Sequence, residues 1–205
     1  MTNCNRCVIL LDVSKESQIL GYGVIILDEN TIRHFWRLIC GVWAPLTRAS
    51  IHCKELLEAS MWGFKWSIHM RLEPYIRHNL IKALNQARMI ILASVRKLMD
   101  AIDFIIIRSA SICSTLVVIH DGGPEENKCA NIIKRRARKE GLNVYIHGKY
   151  TPALMLADYI AGIARNLVLI KLQPPQGKKT PHKYNTYIGA YKRLYKLKGK
   201  VHEFL

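Results

Sequence analysis

Apolar residues run along this chain first as short continuous blocks and then with helical spacing. Residues 7–12 (CVILLD) form an apolar run closed by an acid, and 20–28 (LGYGVIILD) and 31–38 (TIRHFWRL) follow after short polar breaks. Blocks of this length, rich in β-branched and aromatic residues, read as strands. Asp28, Glu29 and Asn30 supply turn chemistry between the second and third, so the three predict an antiparallel meander whose first strand can occupy the sheet centre. Beyond Pro45 and Ser50, the residues Ile51, Leu56, Ala59, Met61, Phe64 and Ile68 recur at helical spacing and predict a first helix over 50–69. From 73 to 99 the stripe Ile76, Leu80, Leu84 and Ala87 keeps that period with basic residues opposite, which predicts a helical insertion spanning about 70–110. Within it, the apolar run 103–108 is too short for periodicity to separate a helix end from an extra strand.

The second half is more regular. Residues 115–121 (TLVVIHD) predict a buried strand closed by Gly122-Gly123-Pro124, and a basic helix over 125–140 follows, stopped at Gly141. Residues 143–147 (NVYIH) predict another strand, and Pro152 opens a helix reaching about 169. The order β-β-β-α, insertion, β-α-β-α defines an α/β domain over 1–170, with a mixed central sheet of about five strands and flanking helices. A loop at Pro174-Pro175-Gln176-Gly177 opens a basic extension over 171–205. There Tyr184, Tyr187, Tyr191 and Tyr195, three and four residues apart, predict a helix docking on the domain.

Composition narrows the partners. Half of the 205 residues are hydrophobic, enough for one sizeable core, and 31 Lys and Arg against 15 Asp and Glu leave a formal charge of +16. Such an imbalance favours polyanions, nucleic acid first, through counterion release and steering. Lys134, Arg135, Arg136, Arg138 and Lys139 on the basic helix, with Lys178 and Lys179 in the loop, are the candidates for backbone contact; a solvated helix face is the plainer reading of the first five. No apolar stretch has the length of a membrane span or an export signal, so the expectation is a cytoplasmic protein without a membrane partner. Six scattered cysteines predict reduced thiols; Cys4 and Cys7 form a single CxxC, half of a zinc site at most.

Four acids interrupt or close apolar runs: Asp12, Glu55, Asp121 and Asp158. A carboxylate in apolar surroundings must be paired, protonated or metal-bound, because isolated charge is costly to desolvate. Salt bridges to the many Lys and Arg are one outcome, a shared cation another. Their order and local sequences resemble the ribonuclease H-like superfamily. The resemblance covers about residues 5–170: Asp12-Val13-Ser14 with Gly21-Tyr22-Gly23-Val24, the helix Ser50-Ile51-His52-Cys53-Lys54-Glu55-Leu56-Leu57-Glu58-Ala59, Val118-Ile119-His120-Asp121, and Leu156-Ala157-Asp158. Leu-Ala-Asp-Tyr-Ile-Ala-Gly is similar to a poorly characterised branch with a helical insertion between the glutamate and the third acid, although Val13-Ser14-Lys15 replaces that branch's usual Glu-Ser-Gly.

The resemblance implies a metal-dependent nuclease that hydrolyses phosphodiester bonds in RNA, an RNA–DNA hybrid or branched DNA. It implies two Mg²⁺ or Mn²⁺ ions, with Asp12 bridging, Glu55 and Asp121 completing one site and Asp158 the other. Hard cations of this kind take oxygen ligands, and a pair about 3.5–4 Å apart suits in-line displacement at phosphorus. Glu58, one turn from Glu55, is an alternative ligand, and His147 takes the place of a histidine that assists proton transfer in some family nucleases. His120 is expected to face away from Asp121 because strand side chains alternate. Two other readings stand beside it: a noncatalytic nucleic-acid-binding module of the same fold, and a basic regulator organised by zinc at Cys4 and Cys7.

Overall fold

The computed structural model describes residues 5–32, 34–35, 38, 78–149, 151, 153–172, 182–197 and 199–205. Its centre is β1 (Arg6–Glu16), which is apolar on both faces because both are covered: Ile9, Leu10 and Leu11 are all buried. A two-residue turn, with Ser17 in the left-handed region at φ 56°, returns the chain antiparallel as β2 (Ile19–Asp28). The third strand, β3 (Met89–Ser94), pairs antiparallel with β2 and is buried throughout. A short 3-10 turn leads into α1 (Leu98–Ala110); β4 (Thr115–His120), α2 (Pro124–Lys139), β5 (Asn143–Gly148), α3 (Leu154–Leu172), α4 (His182–Tyr195) and β6 (Val201–Phe204) follow. The six strands form one mixed sheet in the order β5-β4-β1-β2-β3-β6, with β4 parallel to β1, β5 to β4 and β6 to β3. The fold is therefore α/β, with helices on both faces. Among the described residues no helix is long and apolar enough to cross a membrane.

Two expected elements are corrected. Residues 31–38 are not a strand; 29–32, 34–35 and 38 are helical. Asp28 is the cause: its Oδ1 accepts the Thr31 N–H at 2.8 Å while the Thr31 hydroxyl accepts the Asp28 N–H at 3.3 Å, so the acid caps a helix rather than turning a hairpin. Ile32 and Phe35 then reach the core at helical spacing. The sheet position this leaves beside β2 goes to Met89–Ser94, inside the expected helical insertion: helix persists over 78–84, and the chain then turns into β3. The first five residues of β3, MIILA, are an unbroken apolar run that carries no periodicity to distinguish strand from helix. Burial on both faces, and the ion pair of Arg88 to Asp28 at the start of the strand, decide it. The run 103–108 belongs to α1, and the expected helix over 50–69 lies outside the described residues. The sheet has six strands rather than five because Val201–Phe204, in the C-terminal extension, adds an edge strand.

Two cores fill the layers. Leu10, Ile25, Leu27, Ile90 and Leu92 face α3 and α4, while Ile9, Leu11, Val24, Ile26 and Ile91 face α1 and α2. On the α3 side, β2 carries Gly21 and Gly23 in line with Ile25 and Leu27. A β-carbon on Gly23 would run into the backbone of Ala157 and Ala161, and one on Gly21 into that of Ala161 and Arg165. These glycines are thus required by the close approach of helix to strand. Gly23→Ala is expected to destabilise the fold by about 3 kcal/mol, since neither backbone can yield without moving α3. That corresponds to a melting temperature lowered by roughly 6–12 °C in a domain of this size, measurable by calorimetry; an unchanged melt would show that α3 does not sit on β2 in this way.

Candidate metal centre

The site grows from the centre of the sheet. Asp12 shares the face of Leu10 on β1 and is opposite Gly23 on β2, so its carboxyl lies under α3 where the helix comes closest. The parallel register of Leu10 with Ile119 puts Asp121, just past β4, beside Asp12 at the same end of the sheet. Asp121 is exposed, and its Oδ1 accepts the Gly123 N–H at 3.0 Å. Asp158 follows Ala157, the residue resting on Gly23, and its carboxyl is hydrogen-bonded to that of Asp12. The other Asp158 oxygen, Oδ2, is buried without a hydrogen-bond partner.

A fourth acid completes the group. Glu126 occupies the first turn of α2 and is only 6% exposed; its Oε1 accepts the Val13 N–H from β1 at 3.1 Å. Carboxylate oxygens of Asp12, Asp121 and Glu126 all lie within 4.8 Å of one another. Sequence reasoning missed Glu126 because Gly-Gly-Pro-Glu-Glu is also the signature of a helix start, where Pro and acids are favoured for the helix's own sake. The signal was nevertheless present: a helix starting directly at the strand end that bears Asp121 aims its first-turn acids back across that end.

Electrostatics follow from burial. Asp12 is held well above the ordinary carboxylate range, first by desolvation, then by the negative fields of Asp158, Asp121 and Glu126 and by the bond to Asp158. Asp158 is pushed up to about 7 by burial, against the opposing effects of its bond to Asp12 and of Arg165. Glu126 is also raised by burial, with its Val13 hydrogen bond acting against the shift. Near neutral pH the buried pair therefore shares a proton, which occupies the place where a cation would neutralise the same charge.

The donor set is all oxygen, and the unpartnered Asp158 Oδ2 leaves an acceptor to spare; both suit a hard divalent cation such as Mg²⁺ or Mn²⁺. Asp12, Asp121 and Glu126 make no ion pair among the described residues, whereas Asp28, Asp100 and Asp103 pair with Arg88, Lys97 and Arg136. Among the described residues, the alternative in which the acids simply neutralise nearby Lys and Arg lacks its ion pairs at this corner.

The other expected site residues fall in two groups, those outside the described residues and those away from the cluster. Glu55, Glu58, Lys178 and Lys179 lie outside the described residues. His147 is exposed on β5, in register with Ile119, two residues before Asp121. His120 faces the opposite core, fully buried, and its Nδ1 accepts the Gly122 N–H at 3.0 Å. Lys134, Arg135, Arg136, Arg138 and Lys139 occupy the half of α2 away from Glu126, where Arg135, Arg138 and Lys139 are exposed and Arg136 is held by Asp103. Cys7 is buried beside Cys113 in the core facing α2, and Cys4 lies outside the described residues. Among the described residues, the one cluster of three potential ligands is the acidic one. Neither the known family models nor the curated proteins provide a match to this sequence.

The raised Asp158 carboxyl sets a pH signature. The folded chain keeps a proton that the unfolded chain releases, so this group's contribution to stability is full below about pH 4 and is lost as pH rises to about 7. In EDTA, Asp158→Asn should therefore melt progressively higher relative to the parent between pH 4 and pH 7, gaining about 2–4 kcal/mol, with no further change above that. A difference between the two melts that does not vary with pH would show that Asp158 titrates normally.

Proposed function

We propose that the chain is a metal-dependent nuclease of ribonuclease H-like fold, acting on phosphodiester bonds in RNA, an RNA–DNA hybrid or branched DNA. The observation that carries this reading is the convergence of Asp12, Asp121 and Glu126 oxygens within 4.8 Å, with Asp158 bonded to Asp12. The topology supports it: an antiparallel β1-β2-β3 meander followed by β4 and β5 parallel to β1 is the arrangement the resemblance leads one to expect. The formal charge of +16 supports a polyanionic substrate.

In this reading Asp12, Asp121, Glu126 and Asp158 hold the divalent ions. Bound there, the ions supply an activated water and neutralise charge on the phosphate that is cleaved. The chain's own part is to fix the ligands. Val13 N–H orients the Glu126 carboxylate, Gly123 N–H orients Asp121, and α3 presses Asp158 onto Asp12. His147, exposed two residues short of Asp121 in register, is the candidate for moving a proton to or from solvent. Exposed Arg135, Arg138 and Lys139 serve as backbone contacts further along α2.

The test is cleavage of labelled hybrid, duplex, single-stranded and branched substrates with Mg²⁺ or Mn²⁺. Asp12→Asn and Glu126→Gln are each expected to lower the rate on the order of 100-fold or more while leaving binding in EDTA within about twofold, because these residues hold the ions rather than the polyanion. Metal-dependent cleavage that persists in both variants would sink the proposal. Binding that is intact without any cleavage by the parent would favour a noncatalytic nucleic-acid-binding module.

A further inference from the structure

The acids occupy one part of a sheet edge. Further along it, where β2 begins and β3 ends, lies a cavity of about 480 Å³. Its walls are aliphatic, with Leu20, Val95, Val168 and Leu172 among them, and its rim carries Arg96, Lys97 and Lys171. Gln18, at the turn into β2, adds a polar group, Leu205 also lines the cavity, and Lys97 is paired with Asp100. Val95 and Leu172 are half exposed, at 51% and 53%, so apolar surface faces solvent beside three cations.

The register fixes how far this cavity lies from the acids. Asp12 pairs with Gly23 and Gly23 with Leu92, and Ser94 on the cavity rim is two residues beyond. At the usual spacings within a sheet, the backbones of Asp12 and Ser94 are about 12 Å apart. Along α3, Val168 is ten residues past Asp158, about 15 Å at helical rise. A single nucleic-acid strand with one phosphate at the acids covers this distance in a few nucleotides.

We propose that the cavity receives an unpaired nucleobase of the substrate strand, a few nucleotides from the phosphate held at the acids, with Arg96 and Lys171 on the neighbouring phosphates. This rests on the nuclease reading and deepens it: a base can enter only if it is not paired, so the substrate has a single-stranded flank rather than a continuous duplex. Inorganic phosphate would leave the aliphatic walls unused. A flat, largely apolar ring attached to a phosphate uses walls and rim together, and Gln18 offers hydrogen bonds to its edge.

The test measures binding of the full chain, in EDTA, to a single-stranded 12-mer and to the same backbone with four adjacent abasic positions. The parent is expected to bind the complete strand at least tenfold more tightly. Leu172→Trp, which fills the cavity from an exposed position, should reduce that preference to about twofold. The double substitution Arg96→Glu with Lys171→Glu should weaken both strands and lower the slope of log affinity against log salt by about two. Circular dichroism of each variant controls for folding. An equal preference for bases in parent and Leu172→Trp, or displacement of the strand by dodecanoate at matched occupancy, would overturn the proposal. Cleavage by the parent, measured separately with Mn²⁺, keeps the two readings apart. Cleavage without base preference rejects the cavity alone, whereas base preference without cleavage keeps the cavity as a nucleic-acid site and rejects the nuclease.

Discussion

The contact on which the rest of the structure depends is that of α3 with β2, where no side chain intervenes. Gly21 and Gly23 bring the strand backbone against Ala157, Ala161 and Arg165, closer than any β-carbon would permit. An ordinary helix-on-sheet contact is spaced by a layer of side chains, and polar groups can remain near its edges. Here the spacing is gone, and Asp12 and Asp158 are pressed together with water excluded. The same contact orders the helix beyond: Arg165, seven residues past Asp158, lies 3.2 Å from Glu16 and anchors α3 to the end of β1.

Pressing two carboxyls together costs energy, and two kinds of positive charge can reduce it. One is a proton, which the raised Asp12 and the Asp158 value of about 7 supply below neutrality. The other is a cation; Arg165, which pairs with Glu16 and donates to the Lys15 carbonyl, acts on Asp158 through its field. Glu126 and Asp121 complete a ring of acceptors on the open side of the pair. Among the described residues no Arg or Lys forms an ion pair with Asp12, Asp121 or Glu126, whereas Arg88 pairs with Asp28 and Arg136 with Asp103.

Much of this was legible in the chain. The apolar runs of β1 and β4, each ending in or followed by an acid, marked Asp12 and Asp121 in the sequence itself. The errors have one physical origin. TIRHFWRL and MIILAS each satisfy the composition of a strand or a buried helix, and the choice between them was made elsewhere, by a capping bond from Asp28 and by which segment could be buried on both faces. Glu126 was hidden for a related reason: an acid in a first helical turn has a sufficient local explanation, and only the parallel pairing of β1 with β4 reveals that it reaches Val13.

The charge distribution then constrains the order of events at the site. In the nuclease reading, a chain with a formal charge of +16 attracts a polyanion from a distance, yet the polyanion would meet four acids where its phosphate is to be cleaved. Unneutralised, that corner would repel it at short range with more force than the distant basic residues attract, because Asp12, Glu126 and Asp158 are desolvated and the cations are in water. Exposed Arg135, Arg138 and Lys139 on one side, and Arg96 and Lys171 on the other, can hold a strand beside the acids without solving this conflict. Productive contact therefore requires the acids to be neutralised first or together with the phosphate. A proton suffices only for the buried pair and is shed as pH rises to about 7. Divalent cations serve all four acids and the phosphate at once, so in the nuclease reading metal and substrate should bind with positive linkage.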